Sequence, residues 1–384
     1  MTDLVQGNNA FAVDLYREIR TQPGNLFFSP ESISTALAMT YAGARGDTAT
    51  EMAKTLHFTL PPKKLHVAMG GLLHALNAAH DDYQLKVANA LWGQQGYNFL
   101  DDFLTLTRDK YGSELNQVDF KTSANAARQT INSWVEQQTE NKIKDLIAPG
   151  VLTKDTRLVL TNAIYFKGAW ETQFRKEDTK KEDFHVSATQ TVEAPLMHCT
   201  GEFNYLANET FQALEIPYKD KELSMIVFLP KDANGLVALE QSMNAENMEQ
   251  WLGRLRPASK VILTMPKFRI TREFGLADTL GKMGIKQAFG PGADFSGMAS
   301  RKTALRDGNL YISAFVHKAY VDVTEEGSEA AAATTVVMNS ARFVRIASPS
   351  PPIFRADRPF LFVIRDNKSG SILFMGRVTN PAVI

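Results

Sequence analysis

The chain has 384 residues, 44% of them hydrophobic and 22% charged, a balance typical of globular proteins and not of disordered ones. Lys and Arg together number 42, as do Asp and Glu, so the formal net charge is zero. This argues against a broad electrostatic surface for nucleic acid or for an anionic membrane, and the single cysteine, Cys199, excludes an internal disulfide.

The first predicted element is an amphipathic helix, because Phe11, Leu15 and Ile19 recur every four residues. The N-terminus has no apolar signal core, and no run of about 18 apolar residues occurs anywhere in the chain. We therefore expect a cytoplasmic protein if Met1 is the native start, and an extracellular or periplasmic one if a signal peptide was removed.

A short buried strand at residues 27–28 precedes the second predicted helix. Ser29 is a favourable N-cap residue, and Pro30 suits the first helical position. Thr48 and Glu51 have the spacing of a capping box, which predicts the start of a further helix.

Helices dominate the first part of the sequence and strands the second. Residues 124–147 form a long amphipathic pattern, and residues 158–166 read as a buried strand. After about residue 192, apolar runs of strand length follow one another, and residues 309–324 predict a long strand. This order favours an α+β fold, which we expect to form one domain over residues 1–384.

The segment "EEGSEAAAATTVVM", residues 325–338, has an unusual composition. At a period of two, one face carries only uncharged side chains: Ser328, Ala330, Ala332, Thr334, Val336 and Met338. The only charge on the other face is Glu329. Since alanines bury little apolar area, the segment suits a chain that is sometimes exposed and sometimes a buried strand. A proline-rich stretch, residues 339–355, follows it. About 35 residues separate the strand that ends at Thr324 from the strand that begins near Phe360, and a loop that long is usually functional or disordered.

No catalytic motif is present, and the seven histidines are scattered along the chain. We therefore expect no enzymatic activity, no catalytic residues, no metal site and no cofactor. His317, in the long strand, reads as a satisfied core histidine rather than a catalytic base.

Several long motifs occur in a familiar order, among them "NLFFSPESISTALAMTYAGARGDTATEM", "LTNAIYFKGAWETQF", "VHKAYVDVTEEGSEAAAAT" and "ADRPFLFVIRDNKSGSILFMGRVTNP". On these motifs the chain resembles the serpin family, serine protease inhibitors, from about residue 8 to residue 381. It is most similar to inhibitory members on the prokaryotic side of the family. The resemblance implies three β-sheets, eight or nine helices and an exposed reactive-centre loop within residues 325–355.

The resemblance also implies roles for particular residues. The implied hinge, where the loop begins, comprises Glu325, Gly327, Ser328, Ala330, Ala331, Ala332, Ala333 and Thr334. The shutter, a polar cluster beneath the opening of the central sheet, comprises Ser29, Ser32, Asn162 and His317. The breach, where insertion begins, contains Trp170 and Lys267, and Lys267 would pair with Glu325. Family spacing places the scissile bond at Ala341-Arg342; a shift in register would use Phe343 or Met338.

The implied function is irreversible inhibition of serine proteases. A protease cleaves the loop, is trapped as an acyl-enzyme, and is displaced as the loop inserts into the central sheet. Ala341 suits elastase-like or subtilisin-like proteases and Arg342 trypsin-like ones, with cysteine proteases as further candidates. We expect a monomer without a heparin site. The alternative is a non-inhibitory serpin that acts as a protease substrate, carrier or chaperone.

Overall fold

A computed structural model describes residues 1–77, 83–328 and 350–383. Ten α-helices lie within these ranges, against the eight or nine that the resemblance implied, and two of them, α7 and α10, have only seven residues each. They are α1 (Thr2–Ile19), α2 (Pro30–Tyr41), α3 (Gly46–Thr55), α4 (Pro62–Leu76), α5 (Asp101–Tyr111), α6 (Phe120–Gln138), α7 (Leu236–Ser242), α8 (Ala245–Gly253), α9 (Leu276–Met283) and α10 (Arg301–Asp307).

Fifteen strands are found in the same described ranges. They are β1 (Leu26–Phe28), β2 (Tyr83–Gln94), β3 (Leu115–Val118), β4 (Leu158–Ala169), β5 (Lys180–His185), β6 (Thr191–Ala207), β7 (Phe211–Pro217), β8 (Leu223–Pro230), β9 (Arg256–Pro266), β10 (Phe268–Gly275), β11 (Ile312–Val323), β12 (Gly327–Ser328), β13 (Ile353–Arg355), β14 (Phe360–Asp366) and β15 (Ile372–Val378). The mixture of helices and mainly antiparallel strands confirms the predicted α+β class.

One sheet has six strands in the order β10-β11-β12-β4-β2-β3. Its two central long strands, β4 and β11, are parallel and pair directly from Leu158–Ile312 to Tyr165–Tyr320. No strand separates them over this length. Beyond Tyr165 and Tyr320 they diverge, and β12 enters the gap antiparallel to both.

The other strands form one network of nine, in the order β1-β15-β14-β8-β7-β6-β9-β13, with β5 paired to β6. The resemblance implied two sheets here. The 17-residue strand β6 joins them, because different parts of it pair with β5, β7 and β9.

Helix α2 is buried from Pro30 to Thr40 and packs against β2, β4 and β15. A separate apolar layer lies between α6 and the outer face of the six-stranded sheet. It contains side chains from both β4 and β11. The six-stranded sheet is therefore packed on α2 at one face and covered by α6 and the residues that follow it at the other.

The predicted capping box at Thr48 and Glu51 is wrong. Helix α3 already begins at Gly46, so both residues lie inside it. The Thr48 hydroxyl instead accepts a hydrogen bond from the amide of Asp294, and the Glu51 carboxylate accepts from the amides of Lys286 and Gln287. Distant backbone donors have taken the place of the expected local ones.

Candidate functional site

The most unusual feature of the six-stranded sheet is the two-residue strand β12. After β11 ends, Thr324 and Gly327 exchange backbone hydrogen bonds of 2.8 and 3.3 Å, so the chain reverses direction in a tight turn. Gly327 then pairs with Ala169, and Ser328 pairs with Gly168 on one side and Val323 on the other. The start of the predicted hinge thus already lies between β4 and β11.

Glycine is required at position 327. Its φ of +148° lies in a region that side chains disfavour, and a Cβ atom there would lie 2.1 Å from the carbonyl oxygen of Gly168. The close approach of the two backbones is possible only without a side chain.

Ser328 faces the interior and is fully buried. Its hydroxyl lies 2.8 Å from the hydroxyl of Tyr218, and the Tyr218 ring stacks on Trp170 with 4.5 Å between the ring centroids. The Trp170 indole donates a 3.0 Å hydrogen bond to the carbonyl oxygen of Thr324. Trp170, predicted at the breach, therefore lies beneath the hinge, and Tyr218, which sequence analysis missed, connects the two.

Two ion pairs hold the turn before β12. The carboxylate of Glu325, only 5% exposed, lies 2.8 Å from the ammonium of Lys267 and accepts a 2.8 Å hydrogen bond from Thr179. Desolvation would raise the pKa of Glu325, but the hydrogen bonds from Lys267, its own backbone and Thr179 outweigh it, so that pKa is lowered. Glu326 pairs with Lys176 at 2.6 Å.

The four residues predicted at the shutter come together below β12. Asn162 of β4 donates to the backbone oxygen of Ser32 at 2.9 Å and to its hydroxyl at 2.7 Å. The Ser29 hydroxyl accepts from the Ser32 amide, as an N-cap does, and donates to the carbonyl of Leu373. Asn89 of β2, which sequence analysis missed, also bonds to Ser32 and Asn162.

His317 of β11 completes this cluster in a defined protonation state. Its Nε2 accepts a 3.2 Å hydrogen bond from the Ser29 amide, so the proton resides on Nδ1, which donates to the Asn162 side chain. Burial lowers the pKa of His317 to about 3, partly offset by the bond to Asn162. A neutral histidine thus joins β11 to β4 directly.

The far end of the predicted loop is held by a second charged cluster. Arg355 of β13 donates to Glu182 at 2.6 Å and to Asp357 at 2.8 Å, and Glu182 also contacts His198 at 2.8 Å. These contacts bind β13 to the nine-stranded sheet, where β9 is the only described strand that pairs with its backbone.

The remaining predicted residues of the hinge and the scissile region lie outside the described residues. These are Ala330, Ala331, Ala332, Ala333, Thr334, Met338, Ala341, Arg342 and Phe343. Their roles remain predictions.

In the described part of the chain, no group of three or more His, Cys, Asp or Glu side chains is arranged to hold a metal ion. Burial raises the pKa of the half-buried Cys199 thiol to about 12, which does not suit a reactive cysteine. No helix within the described ranges is both long and apolar enough to cross a membrane.

Comparison with known proteins shows full-length similarity. The family described as Serpin (serine protease inhibitor) matches residues 6–381. A serpin-like protein of Thermococcus kodakarensis is 42% identical over 98% of this chain and 86% of its own length, and the leukocyte elastase inhibitor of Bos taurus is 40% identical over 99% of this chain and 100% of its own.

Solved structures agree with the sequence comparisons. Uncleaved ovalbumin superposes with a TM-score of 0.87 at 30% identity, covering 99% of this chain and 100% of its own. Human thyroxine-binding globulin in complex with thyroxine gives a TM-score of 0.88 at 34% identity, covering 99% of each chain.

Proposed function

This chain belongs to the serpin family, and on that basis we propose that it is an irreversible inhibitor of serine proteases. The proposed mechanism begins when a protease attacks the loop between β12 and β13. The protease serine forms an ester with the residue before the scissile bond, and the new amino terminus leaves. The freed N-terminal part of the loop then inserts between β4 and β11, carrying the protease with it before the ester is hydrolysed.

The observation that carries this proposal is the register of β12. Gly327 and Ser328 begin an antiparallel strand between two parallel strands, and Ser328 points to the interior. If the strand grows in the same register, Ala332 reaches the position between Ile164 and Ala319. Those two residues already face each other in the uninserted sheet, so the growing strand fits both neighbours without a slip.

The same register sends the uncharged face inward. Residues with even numbers from 328 to 338 would follow Ser328 into the interior, whereas Glu329 would face outward between Lys167 of β4 and Asp322 of β11. No charge would need to be desolvated, a cost of several kcal/mol when it occurs. Thr334 would enter between Asn162 and His317, so insertion has to break their direct contact at the shutter.

A target with a small primary pocket is favoured by the proposed scissile residue, Ala341. The similarity to leukocyte elastase inhibitors supports an elastase-like protease. Arg342 would direct the inhibitor to trypsin-like proteases if the register shifts by one residue; subtilisin-like and cysteine proteases are further candidates. We propose that the inhibitor acts as a monomer.

The fold alone does not distinguish an inhibitor from a carrier, because thyroxine-binding globulin shares it. A carrier, chaperone or simple substrate of proteases remains the second candidate. The uncharged inward face favours inhibition, since a loop that never inserts has no need of it.

The decisive experiment is to incubate the protein separately with elastase, subtilisin, trypsin and chymotrypsin. We expect a complex that survives denaturing electrophoresis, and a released fragment whose N-terminal residue is Arg342, or Phe343 if the bond is shifted. Cleavage by every protease without any complex would overturn the inhibitory function. Thermal unfolding of the loop-cleaved protein gives a second readout, and an unchanged melting temperature would contradict insertion.

Ala332→Asp tests the inward face directly, because it would bury a carboxylate between Ile164 and Ala319. This variant should be cleaved as a substrate without forming a complex. Glu329→Asp is the matched control, with an acidic side chain on the outward face, and should inhibit like the wild type.

A further inference from the structure

One lysine lies across the junction of the two strands that have to separate. The ammonium of Lys142 is 5.9 Å from the ring centroid of Tyr165 and 5.9 Å from that of Tyr320. Tyr165 belongs to β4 and Tyr320 to β11, and the two residues pair directly in the closed sheet. Their rings meet at 60°, with 5.8 Å between centroids. One cation therefore contacts both sides of the junction.

The segment that carries Lys142 is anchored to the outer face of the sheet. Helix α6 ends at Gln138, and Glu140 then pairs with Lys86 of β2 at 3.2 Å. Ile143 and Ile147 are fully buried in the apolar layer between α6 and the sheet. The segment that carries the Lys142 side chain is thus held in place against the sheet.

The register of β12 predicts that insertion would separate the two tyrosines under Lys142. Extended in register, the inserting strand would put Ala331 between Tyr165 and Tyr320. The two tyrosines would move apart by about one strand spacing, ~4.8 Å, with the alanine methyl group between them. A cation at its present height over the sheet would then lie beyond the roughly 6 Å limit for effective attraction to the rings.

We propose that Lys142 is a latch that holds β4 and β11 together on the outer face and sets the rate at which the sheet opens. This inference rests on the proposed function, because sheet opening is the step that Lys142 would control. It differs from the shutter, which joins the same strands on the inner face through neutral hydrogen bonds. Lys142 makes its double contact only in the closed sheet, so it stabilises that state selectively.

Three variants distinguish the effect of the Lys142 cation from the effect of side-chain packing and from a change in the net charge of the protein. Lys142→Met removes the cation and keeps a chain of similar length, and Lys142→Arg keeps a cation that can lie over aromatic rings. Lys144→Met is the matched control, because it removes a lysine side chain from the same segment at an exposed position. The Lys144 carbonyl that accepts from Lys318 is unaffected by that change.

Two measurements on the full-length, uncleaved protein test the latch without a protease. The first is hydrogen exchange of the β4 and β11 amides, and the second is the rate at which a synthetic peptide with the sequence of residues 327–340 anneals into the sheet. We expect Lys142→Met to accelerate both about ten-fold, the scale of ordinary cation–π contacts. Lys142→Arg and Lys144→Met should stay near the wild-type rates.

Equal exchange rates in Lys142→Met and Lys144→Met would overturn the latch. If the peptide anneals to none of the variants, the loop-insertion mechanism is refuted. The exchange rates then still test whether Lys142 acts as the latch. If the exchange and annealing results are as expected but no protease complex forms, the role of Lys142 is supported and the inhibitory function is refuted.

Discussion

The hydroxyl of Tyr218 lies 2.8 Å from the hydroxyl of Ser328, and both side chains are fully buried. Ser328 is the last residue described before residue 350, and Tyr218 follows β7 of the other sheet. This contact therefore ties the start of the predicted hinge to the other sheet.

Tyr218→Phe should release this tie. The loss of a buried hydrogen bond leaves the Ser328 hydroxyl without this partner, which costs about 1–2 kcal/mol. We expect hydrogen exchange at residues 325–328 to accelerate several-fold, with little change elsewhere. Tyr205→Phe, at a half-buried tyrosine on β6, is the control; an equal effect there would show that the contact is not specific.

Gly327→Ala should expel the hinge from the sheet, because its Cβ atom would overlap the Gly168 carbonyl. The expected result is a melting temperature lower by several degrees, with altered fluorescence from Trp170 beneath the turn. Gly24→Ala is the control, since Gly24 also has a positive φ, +80°, but no atom of the described residues lies within 4 Å of the added methyl group. Similar losses in both variants would attribute the effect to backbone strain alone.

Lys267→Met should destabilise the protein by about 2 kcal/mol, because it leaves the buried Glu325 carboxylate without its cation. Adding Glu325→Gln should recover part of the loss, and a double-mutant cycle in denaturant measures the coupling. The pKa of Glu325 is lowered in the folded state, so its contribution is present above the unfolded value of 4.5 and is lost as the pH falls through the folded value. The unfolding free energies of the wild type and of Lys267→Met should therefore converge in acid. A difference that stays constant with pH would contradict the ion pair.

His317 should make the protein less stable as the pH falls. Its pKa is about 3 when folded against 6.5 when unfolded, so its contribution is complete above pH 6.5 and declines by about 1.4 kcal/mol per pH unit down to pH 3. Burial lowers the pKa of His66 to about 4, which adds a slope of the same sign. His317→Gln should flatten the curve of unfolding free energy against pH between 6.5 and 4. An unchanged slope in His317→Gln would refute the conclusion that His317 is neutral in the folded protein.

Glu31 should act in the opposite direction. Its carboxyl is buried at the start of α2, and desolvation raises its pKa to about 7, only partly offset by the hydrogen bond from Thr35. The contribution of Glu31 to stability is therefore most favourable below the unfolded pKa of 4.5, and it becomes less favourable by up to about 3 kcal/mol as the pH rises through the folded pKa of about 7. Glu31→Gln should raise the melting temperature at pH 8 and leave it unchanged at pH 4.5. A gain that is independent of pH would show that the carboxylate is not the cause.

The sequence determined several elements and the uncharged character of one face of residues 328–338. Apolar periodicity predicted α1 and β11, and the Ser29-Pro30 pair predicted the start of α2, because these signals depend on neighbours along the chain. The alternation that leaves one hinge face uncharged is also local, and Ser328 lies on the interior side as that alternation requires. The capping box at Thr48 failed because partners from a distant part of the chain replaced the local ones.

Only the tertiary structure decided which residues meet across the sheet. Nothing near Tyr218, Asn89 or Lys142 in the sequence indicates contact with the hinge, the shutter or the tyrosine pair, since their partners are far away along the chain. The register in which β4, β11 and β12 agree is likewise a property of three strands together. Side-chain patterning sets which face of a strand is buried, whereas its partner and register are set by packing of the whole sheet.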